Sequence, residues 1–254
     1  MPKLAGLCGV ALAAALAVAF AAAGGGRAAH RPGLAAAVER TVQAPSMRYA
    51  IHVRITQQAA PVTLHIHGRA SSDTVSVQMR MGDLHLPDGT VVPGADGAAL
   101  LDGPFLYERA PSTIAVNGVV RWLRLRVATL SPASEELDAV HAMTPGPLLR
   151  VLRAARAAPE AEGAHVYNGT VAHDAPSMRG LARLTGDTDF RRLRISALVG
   201  ADGLVRRIVL TGRTVDGTTT ISLRARLFGF GEPVRVTPPA PGTFLDGELA
   251  QTPV

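Results

Sequence analysis

Between residues 47 and 81 apolar side chains recur at every second position. That alternation restricts the chain to antiparallel sheet with one dry and one wet face. "MRYAIHVRIT" sets Tyr49, Ile51, Val53 and Ile55 on one side and Arg48, His52 and Arg54 on the other. "VTLHIHGR" repeats the pattern with Val62, Leu64 and Ile66 against His65 and His67. "TVSVQMRMG" repeats it with Val75, Val77, Met79 and Met81 against Ser76, Gln78 and Arg80. A helix would scatter these residues around its axis, whereas a strand keeps them on one face. The connections "QQAAP" and "SSD" are short enough for hairpins.

The same period returns near the end. "RRLRISALVGADGLVRRIVLTGR" reads as a hairpin turning at Gly-Ala-Asp-Gly, with Leu193, Ile195, Ile208 and Leu210 as its apolar side. "TTTISLRARLFGF" alternates Ile221, Leu223, Ala225 and Leu227 against Ser222, Arg224 and Arg226. "FLYER" and "AHVYNGTVA" add strands, and "IAVNGVVRWLRLRV" is a strand pair or one strand broken at Asn117-Gly118. Helical spacing appears over residues 33–45, where Leu34, Val38 and Val42 share a side and Pro45 ends the run. It appears again in "SPASEELDAVHAM" and in "TPGPLLRVLRAARAAP", which is expected to be helical up to Pro159. A short helical piece is expected near "APSMRGLARL", and a loose Pro/Gly-rich tail after Pro238. Strands and helices do not alternate, so a doubly wound nucleotide fold is not expected.

Composition narrows the function classes. The net charge is +6 and the pI about 10.6, yet Lys3 is the only lysine. The arginines are dispersed through strands, with no basic block and no interleaved aromatics, which argues against a nucleic-acid partner. Cys8 is the only cysteine, so no disulfide forms within the chain and a cysteine zinc site is excluded. Residues 1–26 carry a basic start, an uncharged Ala-rich run and an Ala-x-Ala at residues 21–23. They read as a signal peptide or, if uncleaved, an N-terminal membrane anchor, and point to an exported, extracytoplasmic protein.

Candidate chemistry is thin. "LFGFGEPVRVTPP" contains Gly229-Phe230-Gly231, but a phosphate loop needs a following helix, and here Glu232 and Pro233 lead into a strand-like stretch. His65 and His67 share a strand face, with His52 and His85 as further ligand candidates, but Arg48, Arg54 and Arg69 on that face oppose a cation. Asp102, Glu108, Asp187, Asp189 and Asp202 are acid/base candidates, mostly in Gly-rich turns where Asp bonds its own backbone. No Gly-x-Ser-x-Gly occurs. The expectation is no enzyme, no catalytic residue, no cofactor and no metal. A long apolar sheet face with few helices to cover it either packs solidly or leaves an apolar cavity.

Several pieces in order resemble the bacterial lipoprotein-carrier superfamily, the LolA-like and LppX/LprG-like envelope proteins. They are the export segment, the short helix, "MRYAIHVRI", "GPFLYERAP", the Trp122 strand, "TPGPLLRVLRAA", "VGADGLVRRIVLTGR" and "FGFGEPVRVTPP". The resemblance covers residues 33–239. It implies an α+β fold, a strongly curved antiparallel β half-barrel with a few helices covering its concave face and a cavity for acyl chains. The domain would run over residues 27–239, with a tail at 240–254. By alternation the candidate lining is Tyr49, Ile51 and Val53, then Leu64 and Ile66, then Val75, Val77 and Met79. Leu193, Ile195, Ile208, Leu210, Ile221 and Leu223 complete it. The resemblance implies a carrier of lipid or an acylated molecule working at the bacterial membrane surface. The rival reading is an envelope sensor or interaction domain of the same fold that binds a partner protein. Anchored members carry a lipidated cysteine after the signal; this chain has none there.

Overall fold

The computed structural model describes residues 33–57, 60–85, 89–109, 115–116, 119–120, 122–130, 134–159, 165–172 and 190–247. Residues 1–26 with Cys8, Asp187, Asp189, the piece near "APSMRGLARL" and the side chain of His85 lie outside these.

The alternating segments pair as expected. β1 (Ser46–Gln57), β2 (Ala60–Ser71) and β3 (Thr74–Met81) form a meander. Two-residue strands β4 (Leu84–His85) and β5 (Val91–Val92) make a small separate ribbon. β6 (Ala95–Asp102) and β7 (Phe105–Arg109) return to the main sheet. β8 (Ala115–Val116) and β9 (Val119–Val120) form a second ribbon around the Asn117-Gly118 position, and β10 (Trp122–Arg126) rejoins the sheet. Then come β11 (Arg156–Pro159), β12 (Val166–Ala172), β13 (Phe190–Val199), β14 (Val205–Thr214), β15 (Thr219–Phe228) and β16 (Phe244–Asp246).

The main sheet has 12 strands in the order β11-β12-β13-β14-β15-β1-β2-β3-β6-β7-β10-β16. It is open and curved, an α+β half-barrel. All its pairings are antiparallel except β10 with β16. Because β15 closes on β1, the first strand of the domain sits at the centre of the sheet. Register aligns the apolar positions into rows across the strands. Ile195, Leu210, Leu223, Val53 and Leu64 form one row; Ala197, Ile208, Ala225, Ile51 and Ile66 form the next. A one-residue slip on any strand would turn its apolar set out to water, so the pattern itself specifies the register.

Three helices lie on the concave face among the described residues: α1 (Leu34–Val42), α2 (Glu135–Ala142) and α3 (Gly146–Ala154). Leu34, Ala37 and Val38 of α1, Val140 of α2 and Leu148, Leu149, Val151 and Leu152 of α3 join one core with the inward sheet residues. Ser134 caps α2 by accepting from the Leu137 N–H at 3.3 Å. Pro147 sits in the first turn of α3, where its missing N–H leaves no bond unmade. Thr41 is fully buried and ties α1 to β14. Its Oγ1 donates to the Ala37 carbonyl at 2.7 Å and accepts from the Val205 N–H at 2.9 Å.

Two expectations are corrected. Residues 156–159 do not continue the third helix: Ala155 turns extended (ψ 138°) and the chain becomes edge strand β11. Gly169 makes this possible, since a Cβ there would fall 2.4 Å from the Arg156 carbonyl oxygen. Pro159 fits an edge strand, where no ladder donor is needed. The tail after Pro238 is not loose over its described part, to residue 247. Trp122 N–H donates to the Thr243 carbonyl at 3.1 Å and Gly247 N–H to the Arg124 carbonyl at 2.9 Å, making β16 an added strand. Arg124 forks onto Asp246 at 2.6 and 2.9 Å and lies 4.3 Å from the Phe244 ring centre. One polar pair and one ring supply the hold that a Pro/Gly-rich composition hides.

Candidate functional site

The register places the whole apolar candidate set on the concave side. Most of it is buried, from Tyr49, Ile51 and Val53 through Ile66, Val75 and Val77 to Leu193, Ile195, Ile208, Leu210, Ile221 and Leu223. Leu64 and Met79 are partly buried, as are Ile55, Leu101 and Leu123 beside the same core. Met81, the next inward position on β3, is 37% exposed. α1 and α3 make their main sheet contacts at β14 and β12. Half-covered apolar residues lie on β1, β2, β3, β6 and β10, and also on β11 and β12 at Ala157 and Tyr167.

Tyr49 is the unusual member. It is 1% exposed, and its hydroxyl has no hydrogen-bond partner among the described residues. The phenol lies across Gly68 on the neighbouring strand, where a Cβ would fall 2.2 Å from Tyr49 Cζ. Burial pushes its pKa up, so the group stays a neutral phenol.

One carboxyl also faces inward. Glu108 stands opposite Ala99 on β6 and Leu123 on β10. Burial, with the charge of Glu136 on α2 adding to it, raises its pKa to about 7. Asp102 alternates to the other face of the sheet, so the two carboxyls do not form an acid/base pair. Asp202 serves its own turn: it accepts from the Leu204 N–H at 3.2 Å and pairs with Arg206. Gly203 beside it has φ 76°, the left-handed region a glycine enters freely.

The Gly-x-Gly ends a strand and starts no helix. Gly229 (φ 60°) and Gly231 (φ 74°) turn the chain back on β1, with Gly231 N–H donating to the Ser46 carbonyl at 3.1 Å. Arg48 holds Glu232 at 2.8 Å. Residues 232–240 form no strand, contrary to the strand-like reading of "VRVTPP". On the convex face His52 and His65 lie with ring centres 4.5 Å apart. Partial burial holds His52 below the ordinary histidine range, aided by His65, Arg224 and Arg54. Three open hollows are lined by described residues. One of about 520 Å³ is lined by His65, His67, Gln78, Arg80 and Asp96, and another of about 690 Å³ lies between residues 235–239 and the convex side of β1–β3. The third, about 810 Å³, is lined by Arg194, Arg213 and Asp216.

The signal that sequence reading missed is the Tyr49–Gly68 contact, which depends on register between two strands. Alternation already sets Arg48, Arg54 and Arg69 on one face; that Arg207, Arg224 and Arg226 join them was missed for the same reason.

No protein-family model matches this sequence. No curated protein matches it either. The chain is similar to solved structures of low sequence identity. The lipoprotein LppX of Mycobacterium tuberculosis is 12% identical, with 81% of this chain and 99% of that chain covered and a TM-score of 0.41. A DUF1329 family protein from Desulfovibrio piger is 8% identical, covering 80% and 92%, with a TM-score of 0.28. A domain from Vibrio parahaemolyticus named for outer membrane lipoprotein sorting is 8% identical, covering 80% and 94%, with a TM-score of 0.27.

Proposed function

We propose that this chain is an exported, non-enzymatic carrier that holds the acyl chains of a lipid or lipidated molecule against the concave face of its sheet. The observation that supports this is the unevenly covered apolar face. Leu64, Met79, Leu101 and Leu123 stay partly buried, and Met81 exposed, beside the core that the sheet forms with its helices. Each CH₂ removed from water there contributes roughly 0.8 kcal/mol, so a single chain of ordinary length binds without any polar contact. The half-covered part of the face at β2 and β3 is the entry side. Tyr49, further in on β1, carries a buried hydroxyl with no partner among the described residues.

The test is direct. The full chain is purified without detergent, extracted with organic solvent, and the extract weighed by mass spectrometry. A stoichiometric acylated species is expected, and Leu64→Glu with Met79→Glu removes it. A clean extract, together with no uptake of a fluorescent fatty acid, sinks the carrier reading and turns the fold to a protein-binding role.

A further inference from the structure

The convex face gathers arginines that the chain order disperses. Register sets Arg207 opposite Arg226 and Arg48 opposite Arg69. It sets His52 between Arg224 and His65, and His65 opposite Arg80. Like charges at directly opposed strand positions destabilise a sheet. Arg207 against Arg226 and Arg48 against Arg69 are opposed fixed charges, and the histidines add to them only when protonated.

Little answers that repulsion from within. Arg80 pairs with Asp96 at 2.8 Å and Arg48 with Glu232 at 2.8 Å. Arg54, Arg69, Arg194, Arg207, Arg224 and Arg226 are exposed and have no ion-pair partner among the described residues. Burial first, and then the neighbouring His65, Arg224 and Arg54, hold the His52 pKa below its ordinary value, in keeping with that crowding of basic groups. A polyanion laid on this face removes the repulsion and gains charge-assisted hydrogen bonds from guanidinium forks.

The chemistry of the face favours one polyanion. Nucleic acid bound without sequence preference is held by aromatic side chains on which bases stack. Outward positions of β1, β2, β14 and β15 offer arginine, histidine, threonine and serine, with Phe228 at the strand end beside Arg48. Phe228 is 44% exposed. Further along the same face Phe105, Trp122 and Phe244 are half-buried with Arg109 or Arg124 over their rings, and Tyr107 is buried, so Phe228 is the exposed ring of the described part of this surface. A broad basic surface with that one exposed ring matches a layer of phosphate headgroups over acyl chains.

We propose that the convex arginine face docks on an anionic lipid surface. It is a different surface from the acyl-chain face, on the other side of the same sheet, and does not depend on the carrier reading.

The test is sedimentation of the full chain with vesicles of phosphatidylglycerol mixed into phosphatidylcholine, against vesicles of phosphatidylcholine alone. Binding to the anionic vesicles is expected to be at least about 10-fold tighter and to fall as NaCl rises from about 0.05 to about 0.5 M. Arg224→Gln with Arg226→Gln is expected to weaken anionic binding about 10-fold and to leave the phosphatidylcholine background unchanged. The N-terminal apolar segment contributes alike to parent and variant. The variant removes like-charge neighbours, so its unfolding temperature stays equal or rises, which separates lost docking from lost folding. Equal binding to both vesicles, or undiminished binding by the variant, overturns the proposal. Binding to single-stranded DNA or polyglutamate without binding to anionic vesicles also overturns it and assigns the face to another polyanion. Bound lipid in a solvent extract is read separately, so either proposal can fail while the other stands.

Discussion

Tyr49 carries a hydroxyl that folding removes from water without giving it a partner among the described residues. A buried polar group left unsatisfied costs about 1–3 kcal/mol, while its removal with shape conserved is neutral or stabilising. Tyr49→Phe is therefore expected to raise the stability of ligand-free protein by about 1 kcal/mol, read from the urea midpoint at unchanged slope. Loss of stability would show that the hydroxyl is bonded in solution. Glu108 makes a prediction of opposite character. Its folded pKa, about 7, lies above the ordinary 4.5. Between these values the folded state binds more protons than the unfolded state, so stability falls as pH rises from about 4.5 to about 7 and then levels. Glu108→Gln is expected to flatten that part of the profile, followed by the unfolding midpoint at several pH values. An unchanged slope in the variant would place the titration elsewhere.

At the scale of elements, α1 is held to the sheet by apolar contacts and by one buried hydroxyl. Thr41 Oγ1 is the acceptor for the Val205 N–H, at the start of β14. Thr41→Val keeps the shape and strands that donor, with an expected cost of about 1–3 kcal/mol; Thr41→Ser restores most of it. Equal stability of the valine and serine variants would mean the Val205 N–H finds another acceptor. Elements were legible in the sequence wherever period alone decides them. β1, β2, β3 and β15 follow from spacing, because every residue along them repeats the same choice; on α1 the spacing places Leu34 and Val38 correctly, but Val42 is 56% exposed and Ala37 and Thr41 are buried instead. β11 and β16 were not legible. Their pairing rests on single events far apart in the chain: Gly169 making room for Arg156, and Arg124 meeting Asp246. No local window contains both partners. For the candidate site, alternation assigned the apolar residues to one face, and the register keeps them on one side of the sheet. Which of them stay half-covered is a three-dimensional fact absent from the pattern.

At the scale of the molecule, the sheet separates two kinds of surface that composition averages into one number. The formal charge of +6 describes the whole chain, and read along the sequence the arginines look dispersed. Antiparallel register brings outward residues from distant segments into neighbouring columns, such as Arg207 against Arg226 and Arg224 against His52. Charge repulsion on that face opposes folding, and dissolved salt screens it. The Debye length shrinks from about 30 Å at 0.01 M to about 10 Å at 0.1 M, so most of the screening occurs in this range, below the concentrations where salts strengthen apolar burial. The unfolding temperature is therefore expected to rise as NaCl increases over this range, opposite to the response of a protein held by exposed ion pairs. In Arg224→Gln with Arg226→Gln the low-salt value is expected to start higher and climb less, because part of the repulsion is already gone. A calorimetric series in NaCl on parent and variant measures both. Parallel curves would mean that the side chains splay apart in water and the repulsion is not felt. Convergence at higher salt would show that the convex face is folded at a cost, which an anionic surface is placed to relieve.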